Sequence, residues 1–439
     1  MTNQQWMEED LKYIWHPCTQ MKDHETLPLV PIRSAEGVWL YDFEGRRYLD
    51  AISSWWVNLF GHANERIASR IARQARELEH VLLAGFTHAP AVELARKLVE
   101  ITPEGLTKVF YADNGSSAIE VALKMSYHTH RNRGEDRSLF LSLTNSYHGE
   151  TLGALSVGDV ALYKSTYAPL LIRNIQTPVP ADRSPEATRK AIDALDAILQ
   201  ERGGEISAMI VEPLVQGAGG MHMYAPEYLR EARHLSSEYG IHLIADEIMT
   251  GFGRTGTLFA CEQAEITPDF MALSKGLTGG FLPLSVVLTN DEIYGAFYCD
   301  YAEQKAFLHS HSYTGNPIAC AAALATLEIF ENDNVIRSNR SKSQCMAKHL
   351  KRFQTLPNVR EVRQTGMIAA VELQGYRPED RIGLEVYRYG LEHEVLLRPL
   401  GNVIYFMPPY VITEDQIGMM MKVAYEGIRQ LNDRRGSDS

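Results

Sequence analysis

The stretch IHLIADEIMTGFGRTG (241–256), followed after a short gap by PDFMALSKGLTGG (268–280), decides how the rest of the chain is interpreted. Each segment contains an apolar run with the length of a buried strand, and each run leads to one ionisable residue. Asp246 closes the first run and Lys275 follows the second. Because the carboxyl ends of parallel strands meet at one edge of a sheet, we expect this acid and this amine to share a site.

A carboxylate and a lysine in this arrangement are the pair that a pyridoxal phosphate enzyme requires. The amine condenses with the cofactor aldehyde, and the carboxylate keeps the pyridine nitrogen protonated so that the ring can accept electrons. Burial disfavours the ammonium form, so the pKa of such a lysine falls and the amine becomes a usable nucleophile. Taken singly, Lys275 fits a surface lysine and Asp246 a helix cap or turn. Taken together, they favour the catalytic interpretation.

The composition narrows the class of protein. A chain of 439 residues with 45% apolar and 22% charged residues is typical of a globular protein with a large core. A net charge of −12 argues against nucleic acid as a partner, because phosphate binding needs a basic face. The five cysteines include no C-x-x-C pair, which favours reduced thiols. Neither a signal peptide nor an apolar run of about 18 residues is visible, so we expect a cytoplasmic protein without a membrane partner.

Short apolar runs alternate with helical patterns through the middle of the chain, which predicts βαβ units and a mostly parallel sheet. The runs expected to be strands are KVFYAD (108–113), SLFLSL (138–143), AMIVEP (208–213), IHLIAD (241–246) and FMALS (270–274). The helical patterns between them are SSAIEVALKMSYHTHR (116–131) and PEYLREARHLSSEYG (226–240). The ends differ: 38–51 alternates like a hairpin, and 395–409 contains short strands. We expect an α/β fold with a large domain (70–325) and a smaller α+β domain from both termini (1–69 and 326–439).

Three further segments place polar or aromatic residues after predicted strands. In NGSSAIE (114–120), Gly115 and Ser116 would open a helix whose free N–H groups favour a phosphate, although Ser116 could also be a plain helix cap. In NSYHGETLGALS (145–156), Tyr147 could stack on a flat cofactor ring or pack in a loop. In VEPLVQGAGG (211–220), Glu212 could line the pocket or belong to a simple turn.

Two patterns suggest other chemistry. The string GFGRTG (251–256) matches G-x-G-x-x-G, but it lacks a clear helix after it and an acidic pair precedes it, which argues against a dinucleotide site. His309 and His311 alternate like zinc ligands, yet no cysteine or acidic residue stands at ligand spacing, so we expect no metal. Their loop is better interpreted as a phosphate contact through the hydroxyls of Ser312 and Thr314.

With these residues in place, the sequence resembles the class III pyridoxal phosphate aminotransferases, of fold type I, along nearly its whole length. The segment that carries the resemblance is LIADEIMTGFGRTGTLFACEQAEITPDFMALSKGLTGG (243–280). The resemblance implies that Lys275 holds the cofactor and shuttles protons, that Asp246 pairs with the pyridine nitrogen, and that Tyr147 stacks on the ring. It also implies a homodimer with active sites at the subunit interface, in which Ser312, next to His311, reaches the phosphate of the neighbouring subunit.

Other segments resemble one branch of the class, which converts 8-amino-7-oxononanoate to 7,8-diaminononanoate in biotin biosynthesis with S-adenosylmethionine as amino donor. They are IWHPCTQM (14–21), SSWWVNLFGH (53–62), FTHAPAVELARKLVEITP (86–103), VQGAGGMHMY (215–224) and RPLGNVIYFMPPYVIT (398–413). The likeness implies that Arg398 binds the carboxylate of the keto substrate through its guanidinium fork. It also implies that Trp55 packs on the apolar chain or on the donor.

The sequence departs from this branch at the substrate site. Cys18 stands where users of adenosylmethionine generally have a tyrosine that helps to recognise substrate. Ser310 and Ser312 stand where many members have glycine and threonine. Two alternatives therefore stay open, a lysine-dependent version of the same step and a broad ω-amine or diamine:keto-acid aminotransferase. The pair Trp55-Trp56 favours adenosylmethionine.

Overall fold

A computed structural model describes residues 1–27 and 29–437. Within this part the chain divides into two compact units, and each is described by itself. The first unit comprises residues 1–65, 341–363 and the chain from 369 onward; the second comprises 66–340 and 364–368. The domain boundaries expected from the sequence stay predictions.

The described strands, in chain order, are β1 (Ile32–Glu36), β2 (Trp39–Asp42), β3 (Arg47–Asp50), β4 (Lys108–Ala112), β5 (Leu139–Leu143), β6 (Asn174–Thr177), β7 (Ile206–Val211), β8 (Val215–Gln216), β9 (His222–Met223), β10 (His242–Asp246), β11 (Phe270–Leu273), β12 (Ser285–Thr289), β13 (Val359–Thr365), β14 (Ile368–Leu373), β15 (Val395–Leu396) and β16 (Val403–Phe406). The described helices are α1 (Asn3–Tyr13), α2 (Ser53–Trp56), α3 (Glu65–Glu77), α4 (Ala89–Ile101), α5 (Gly115–Asn132), α6 (Leu152–Val157), α7 (Ala161–Lys164), α8 (Pro185–Arg202), α9 (Pro226–Glu238), α10 (Asp291–Gly295), α11 (Pro317–Asn332), α12 (Val335–Leu350), α13 (Gly383–Glu392) and α14 (Glu414–Ser437).

The second unit is built on a seven-stranded sheet with the order β4-β12-β11-β10-β7-β5-β6. The five strands from β11 to β6 run parallel, while β12 is antiparallel to both of its neighbours. The parallel strands β5, β7, β10 and β11 are buried along their whole length, as expected for a sheet that is covered on both faces. This is the α/β fold that the alternation of strands and helices predicts.

The register of this sheet sets the position of the site. β10 and β11 pair so that Asp246 lies opposite Ala272, three residues before Lys275. Helix α5 packs on the sheet through a buried row of small and aliphatic residues, which fixes its first turn near the ends of the central strands. The residues that share this core are Ala118, Ile119, Ala122, Phe140, Ile210, Ile244, Phe270 and Ala272.

The first unit contains two small sheets. One has the order β1-β2-β3-β15, in which β2 and β3 form the predicted antiparallel hairpin around Glu44 and Gly45. The other has the order β13-β14-β16. The segment expected to hold short strands (395–409) forms β15, which pairs parallel with β3, and β16, which pairs with β14. No helix in the described residues is both long and apolar enough to cross a membrane.

Candidate active site

Lys275 follows β11 and begins a single turn of 3-10 helix, Lys275–Thr278. The backbone of Lys275 has a φ of 47°, in the left-handed region that non-glycine residues rarely adopt. Burial of the ammonium lowers the pKa of Lys275 to about 8, against the opposing effect of the carboxylates of Asp246 and Glu212. The side chain is thus an amine that loses its proton close to neutral pH, within the field of two carboxylates.

Asp246 closes β10 and is only 6% exposed. Its Oδ1 accepts a hydrogen bond from the backbone N–H of Ile248 (3.1 Å), and its Oδ2 lies 2.7 Å from Nδ1 of His148. A carboxylate has about four lone-pair positions on its two oxygens, so these contacts leave it able to accept another donor. The strand end therefore presents a buried acceptor that is already held in place.

His148 is a site residue to which the sequence did not assign a role. It is buried, its Nδ1 contacts Asp246, and its Nε2 is a buried atom that has no hydrogen-bond partner among the described residues. Because Asp246 can only accept, we assign the ring proton to Nδ1. The signal was present in the sequence: a histidine directly after the candidate ring-stacking residue Tyr147 is a natural partner for a buried carboxylate.

Glu212 follows β7 and is buried, as the interpretation of it as a pocket residue requires. Its two oxygens accept hydrogen bonds from the backbone N–H groups of Tyr147 (2.9 Å) and Gly217 (2.8 Å). Burial raises the pKa of Glu212 to about 7, and the charge of Asp246 acts in the same direction, while His148 and the two N–H groups oppose it. The carboxyl therefore ties the loop that carries Tyr147 to the end of β7.

Tyr147 is half-buried in that loop. Its hydroxyl donates to Oε1 of Glu150 (3.0 Å), and its ring meets the ring of Tyr163 edge to face at 5.5 Å. These contacts hold the phenol at both ends, so the ring has a defined orientation.

Helix α5 begins at Gly115, and Asn114 is its N-cap, because Oδ1 of Asn114 accepts from the N–H of Ser117. The interpretation of Ser116 as the cap is therefore wrong. The N–H groups of Gly115 and Ser116 have no partner among the described residues, and Oγ of Ser116 accepts from the N–H of Glu150 (3.2 Å). An 18-residue helix with open N–H groups at its start is a favourable place for an anion.

In the segment from Lys305 to Ser312, every second side chain is half-buried. His309 and His311 lie on the inner side of this alternation, while Ser310 and Ser312 are exposed. Nε2 of His311 is buried without a partner among the described residues. In the described part of the chain, no group of three His, Cys, Asp or Glu residues could hold a metal ion.

The string GFGRTG (251–256) forms a turn that is followed by a 3-10 segment, Ala260–Ala264. Phe252, Gly253 and Gly256 all have positive φ. A dinucleotide fingerprint opens an α-helix at its phosphate site, so this turn has a different geometry.

The first unit holds the predicted substrate residues Trp55, Arg398 and Cys18. The Arg398 guanidinium lies over the ring of Trp55 at 5.1 Å from its centroid, and Trp55 is 42% exposed. Arg398 is half-buried, and Cys18 is exposed with a φ of 47°. The structure thus brings Trp55 and Arg398 together.

Trp55 belongs to α2, which is a single turn with left-handed backbone rather than an ordinary α-helix. Ser53, Ser54, Trp55 and Trp56 all have positive φ, at 52°, 44°, 73° and 72°. Left-handed backbone costs a non-glycine residue roughly 1–2 kcal/mol, so four in succession need strong support from their surroundings. The segment SSWWVN contains no glycine, so its local sequence does not predict such a turn.

Asp50, at the end of β3, supplies part of that support and is fully buried. Its Oδ1 accepts from the N–H groups of Ile52 (3.2 Å) and Ser54 (3.0 Å). Its Oδ2 accepts from Oγ of Ser54 (2.7 Å) and lies 2.9 Å from Nε2 of His62. One carboxylate thus accepts two hydrogen bonds from Ser54, within the turn, and one from Ile52, directly before it.

The residues of the second unit fit pyridoxal phosphate. The amine of Lys275 suits the aldehyde, Asp246 offers a buried acceptor for a ring N–H, and the open N–H groups of Gly115 and Ser116 suit a phosphate. Nε2 of His148 is a buried polar atom without a hydrogen-bond partner among the described residues, so the site can provide one more hydrogen bond. The amine, the carboxylate and the open N–H groups are the features that the cofactor needs.

Comparison with known proteins identifies the class. Residues 20–425 match the model of the family described as aminotransferase class-III. Because this match covers most of the sequence, the chain belongs to the class III aminotransferases. It is therefore a pyridoxal phosphate-dependent transaminase of fold type I, as the resemblance predicted.

Individual relatives narrow the comparison. The chain is 51% identical over 430 residues to adenosylmethionine-8-amino-7-oxononanoate aminotransferase of Helicobacter pylori, with 97% of each chain covered. It resembles the crystal structure of the enzyme of that name from Methanocaldococcus jannaschii with a TM-score of 0.94 at 39% identity, covering 97% of this chain and 99% of the other. It also resembles the omega transaminase from Pseudomonas jessenii in complex with PMP, with a TM-score of 0.92 at 28% identity and coverage of 98% and 99%.

Proposed function

We propose that the protein transfers an amino group from S-adenosylmethionine to 8-amino-7-oxononanoate, forming 7,8-diaminononanoate for biotin biosynthesis. The observation that carries the proposal is the buried amine of Lys275, with its lowered pKa, in the field of the buried carboxylate of Asp246. The choice of substrates is supported by full-length relatives that carry the name of this reaction, at 51% identity in Helicobacter pylori and 44% in Geobacter sulfurreducens.

Each residue of the second unit has a proposed task. When bound, pyridoxal phosphate supplies the electrophilic carbonyl and the electron sink that amino transfer needs. Asp246 would accept a hydrogen bond from the protonated ring nitrogen, and Tyr147 would stack on the ring. Glu212 holds the loop that carries Tyr147. Gly115 and Ser116 bind the phosphate through their N–H groups. His311 and Ser312 add to the phosphate site, and Ser310 contacts substrate.

Lys275 is the proposed general base and acid. In each half-reaction its Nζ would take a proton from one carbon and deliver it to another: it removes the proton from the carbon that bears the donor amine in the first half, and it adds a proton to the carbon that receives the amine in the second. A group with a pKa near the working pH performs both transfers best, and the pKa of about 8 suits this task. One residue can therefore serve both halves of a ping-pong cycle.

Substrate recognition is assigned to the first unit. Arg398 binds the carboxylate of 8-amino-7-oxononanoate through its guanidinium N–H groups, and Trp55 packs on the apolar chain or on the donor. Contact between the two side chains supports a shared role. Cys18 offers only a weak donor at its position, so donor recognition at this point depends on shape more than on a hydrogen bond.

The proposal also includes a cytoplasmic homodimer in which Ser312 completes the phosphate site of the neighbouring subunit. The exposure of Ser310 and Ser312, which alternate with the half-buried His309 and His311, supports this assignment.

A donor panel tests the function. The purified holoenzyme is given 8-amino-7-oxononanoate as acceptor with S-adenosylmethionine, lysine or a simple diamine as donor, and 7,8-diaminononanoate is quantified. We expect turnover with S-adenosylmethionine and at least a hundredfold lower kcat/KM with the other donors, the size of effect produced by about 2.7 kcal/mol of differential recognition. Turnover with lysine alone would favour the lysine-dependent version, and comparable rates with many amines would favour a broad ω-amine aminotransferase.

The same panel on Cys18→Tyr isolates the departure at that position. If Cys18 is a tolerated exchange, the added hydroxyl leaves the order of donors unchanged. A reversal of the order in the variant would show that Cys18 itself sets the donor.

A further inference from the structure

The left-handed turn Ser53–Trp56 is a strained element with no glycine, and strained backbone of this kind persists where the surroundings over-determine it, often at functional sites. We propose that Asp50, oriented by His62, is a positioning residue that holds this turn and thereby places Trp55 against Arg398, which fixes the carboxylate-binding guanidinium. This inference rests on the proposed function, because it takes Arg398 as the anchor for the keto substrate.

Four hydrogen bonds converge on the carboxylate of Asp50. Its carboxylate accepts from the N–H groups of Ile52 and Ser54, from Oγ of Ser54 and from the ring of His62. Burial of a carboxylate is costly without hydrogen-bond partners, and here three of the four bonds come from Ile52 and Ser54, at the start of the turn. The bonds to Ser54 connect Asp50 directly to the residue before Trp55.

His62 is fixed independently of the turn. Its backbone N–H donates to the carbonyl of Gly37 (2.7 Å), and the N–H of Gly37 donates to the carbonyl of His62 (3.2 Å). Nδ1 of His62 lies 3.3 Å from Nδ2 of Asn58, an amide donor, so this nitrogen accepts and the ring proton is on Nε2, facing Asp50. The anchored ring thus orients the carboxylate.

The first and last residues of the turn are held by other groups. Nε1 of Trp56 donates to the hydroxyl of Tyr405 (3.0 Å), and Oγ of Ser53 donates to the carbonyl of Met407 (2.7 Å). Trp56 is buried, whereas Trp55 is 42% exposed. The turn therefore uses three of its side chains for attachment and leaves the indole of Trp55 at the surface of the unit.

The consequence for Arg398 follows from the geometry of a cation over a ring. A guanidinium on the face of an indole is held by the ring quadrupole, while its five N–H groups lie in its own plane and stay available. Trp55 thus orients the fork without competing for the donors that a carboxylate requires. Displacement of the turn would remove this support and release the arginine into many rotamers.

A double-mutant cycle separates this role from general damage. KM for 8-amino-7-oxononanoate is measured for the wild type, Asp50→Ala, Arg398→Ala and the double variant. We expect Asp50→Ala to raise KM roughly tenfold in the wild type and to have little further effect once Arg398 is absent. An equal rise in KM in both backgrounds would overturn the inference, because it would show that Asp50 does not act through Arg398.

Asp42 provides a matched control. It is also a buried carboxylate of the first unit, and its Oδ1 accepts from the N–H groups of Glu44 (2.9 Å) and Arg46 (2.8 Å) in the hairpin between β2 and β3. Asp42→Ala should lower thermal stability without coupling to Arg398. Asp50→Asn keeps an oxygen for the N–H groups of Ile52 and Ser54, so its KM for 8-amino-7-oxononanoate should be close to that of the wild type. A rise in KM with Asp42→Ala as large as with Asp50→Ala would contradict the positioning role.

Other outcomes are also informative. If Arg398→Ala alone leaves KM unchanged, the proposed carboxylate anchor fails and the inference fails with it. If Arg398→Ala raises KM while Asp50→Ala acts independently, only the inference fails. Should Asp50→Ala not yield folded protein, the same cycle with His62→Ala decides between these results, since His62 contacts the same carboxylate.

Discussion

Nδ1 of His148 lies 2.7 Å from Oδ2 of Asp246, and both residues are buried at the carboxyl end of the central strands. Such a charge-assisted hydrogen bond contributes about 1.5–3 kcal/mol. Since Asp246 is the proposed partner of the cofactor ring, the orientation of its carboxylate depends on a residue 98 positions away in the sequence.

Removal of His148 should therefore weaken the cofactor site without touching Lys275. We expect His148→Ala to lose roughly tenfold in affinity for pyridoxal phosphate, the lower end of what one charge-assisted bond provides. His148→Asn places an amide N–H near the position of Nδ1 and should recover part of the loss. Titration of the apo protein with cofactor measures both variants, and equal affinities for Ala and Asn would contradict the role of this bond.

The rate at which apo protein captures the cofactor should depend on the pKa of Lys275. Only the neutral amine attacks an aldehyde, and with a pKa of about 8 roughly a tenth of Lys275 is neutral at pH 7 and about half at pH 8. The rate should rise through pH 7–8 and level off above about pH 9. Stopped-flow absorbance follows the reaction.

Glu212→Gln is an internal control for this titration. The charge of Glu212 raises the pKa of Lys275, so its removal should move the midpoint of capture to lower pH. A wild-type rate that still increases up to pH 10.5, the ordinary pKa of lysine, would show that the amine is not perturbed.

Gly149 lies against the proposed phosphate site. Its φ is +125°, and a Cβ there would come within 2.0 Å of Oγ of Ser116. Gly149→Ala should displace Ser116 and reduce cofactor retention. Gly134→Ala is the matched control, because Gly134 also has positive φ (+80°) but has nothing within 4 Å of its Cβ position.

Both glycine variants should lose about 1–2 kcal/mol of stability from left-handed alanine, but only Gly149→Ala should release cofactor during dialysis. Cofactor content per protomer and melting temperature are the measurements. Equal cofactor content in the two variants would remove Ser116 from the phosphate site.

Arg398→Ala should raise KM for 8-amino-7-oxononanoate with a smaller change in kcat, because a carboxylate remote from the reacting carbon is bound in the ground state and the transition state alike. A bond between charged groups contributes about 1.5–3 kcal/mol, so we expect KM to rise roughly tenfold or more. Steady-state kinetics with varied acceptor tests this. An unchanged KM would refute the role of Arg398.

The sequence predicted much of the second unit because its signals are local. The runs that form β4, β5, β7, β10 and β11 are apolar, and most are separated by helical patterns. The lengths of two of these runs place Asp246 and Lys275 at neighbouring strand ends. Neither β6 nor β12 was among the predicted strands, and the direction of β12 could not be predicted in this way. An apolar run does not reveal whether it pairs parallel or antiparallel, which is decided by the connection between the strands.

The missing site features all depend on distant partners. The role of His148 depends on Asp246, and the interaction of Asp50 with the turn depends on His62 and on the backbone of Ser54. Left-handed φ at Ser53–Trp56 runs against the local preference of serine and tryptophan, so tertiary contacts determine it. Local patterns thus indicated which residues bear chemistry but not which residues hold them in place.

Everything proposed for the second unit depends on Lys275 as the residue that binds the cofactor covalently. Purified holoenzyme is treated with borohydride, digested and analysed by mass spectrometry, with Lys275→Ala as the matched control. We expect one pyridoxyl phosphate group on the peptide that contains Lys275 and none on Lys275→Ala, which should also have no transaminase turnover. Cofactor on another lysine, or full turnover of Lys275→Ala, would contradict it.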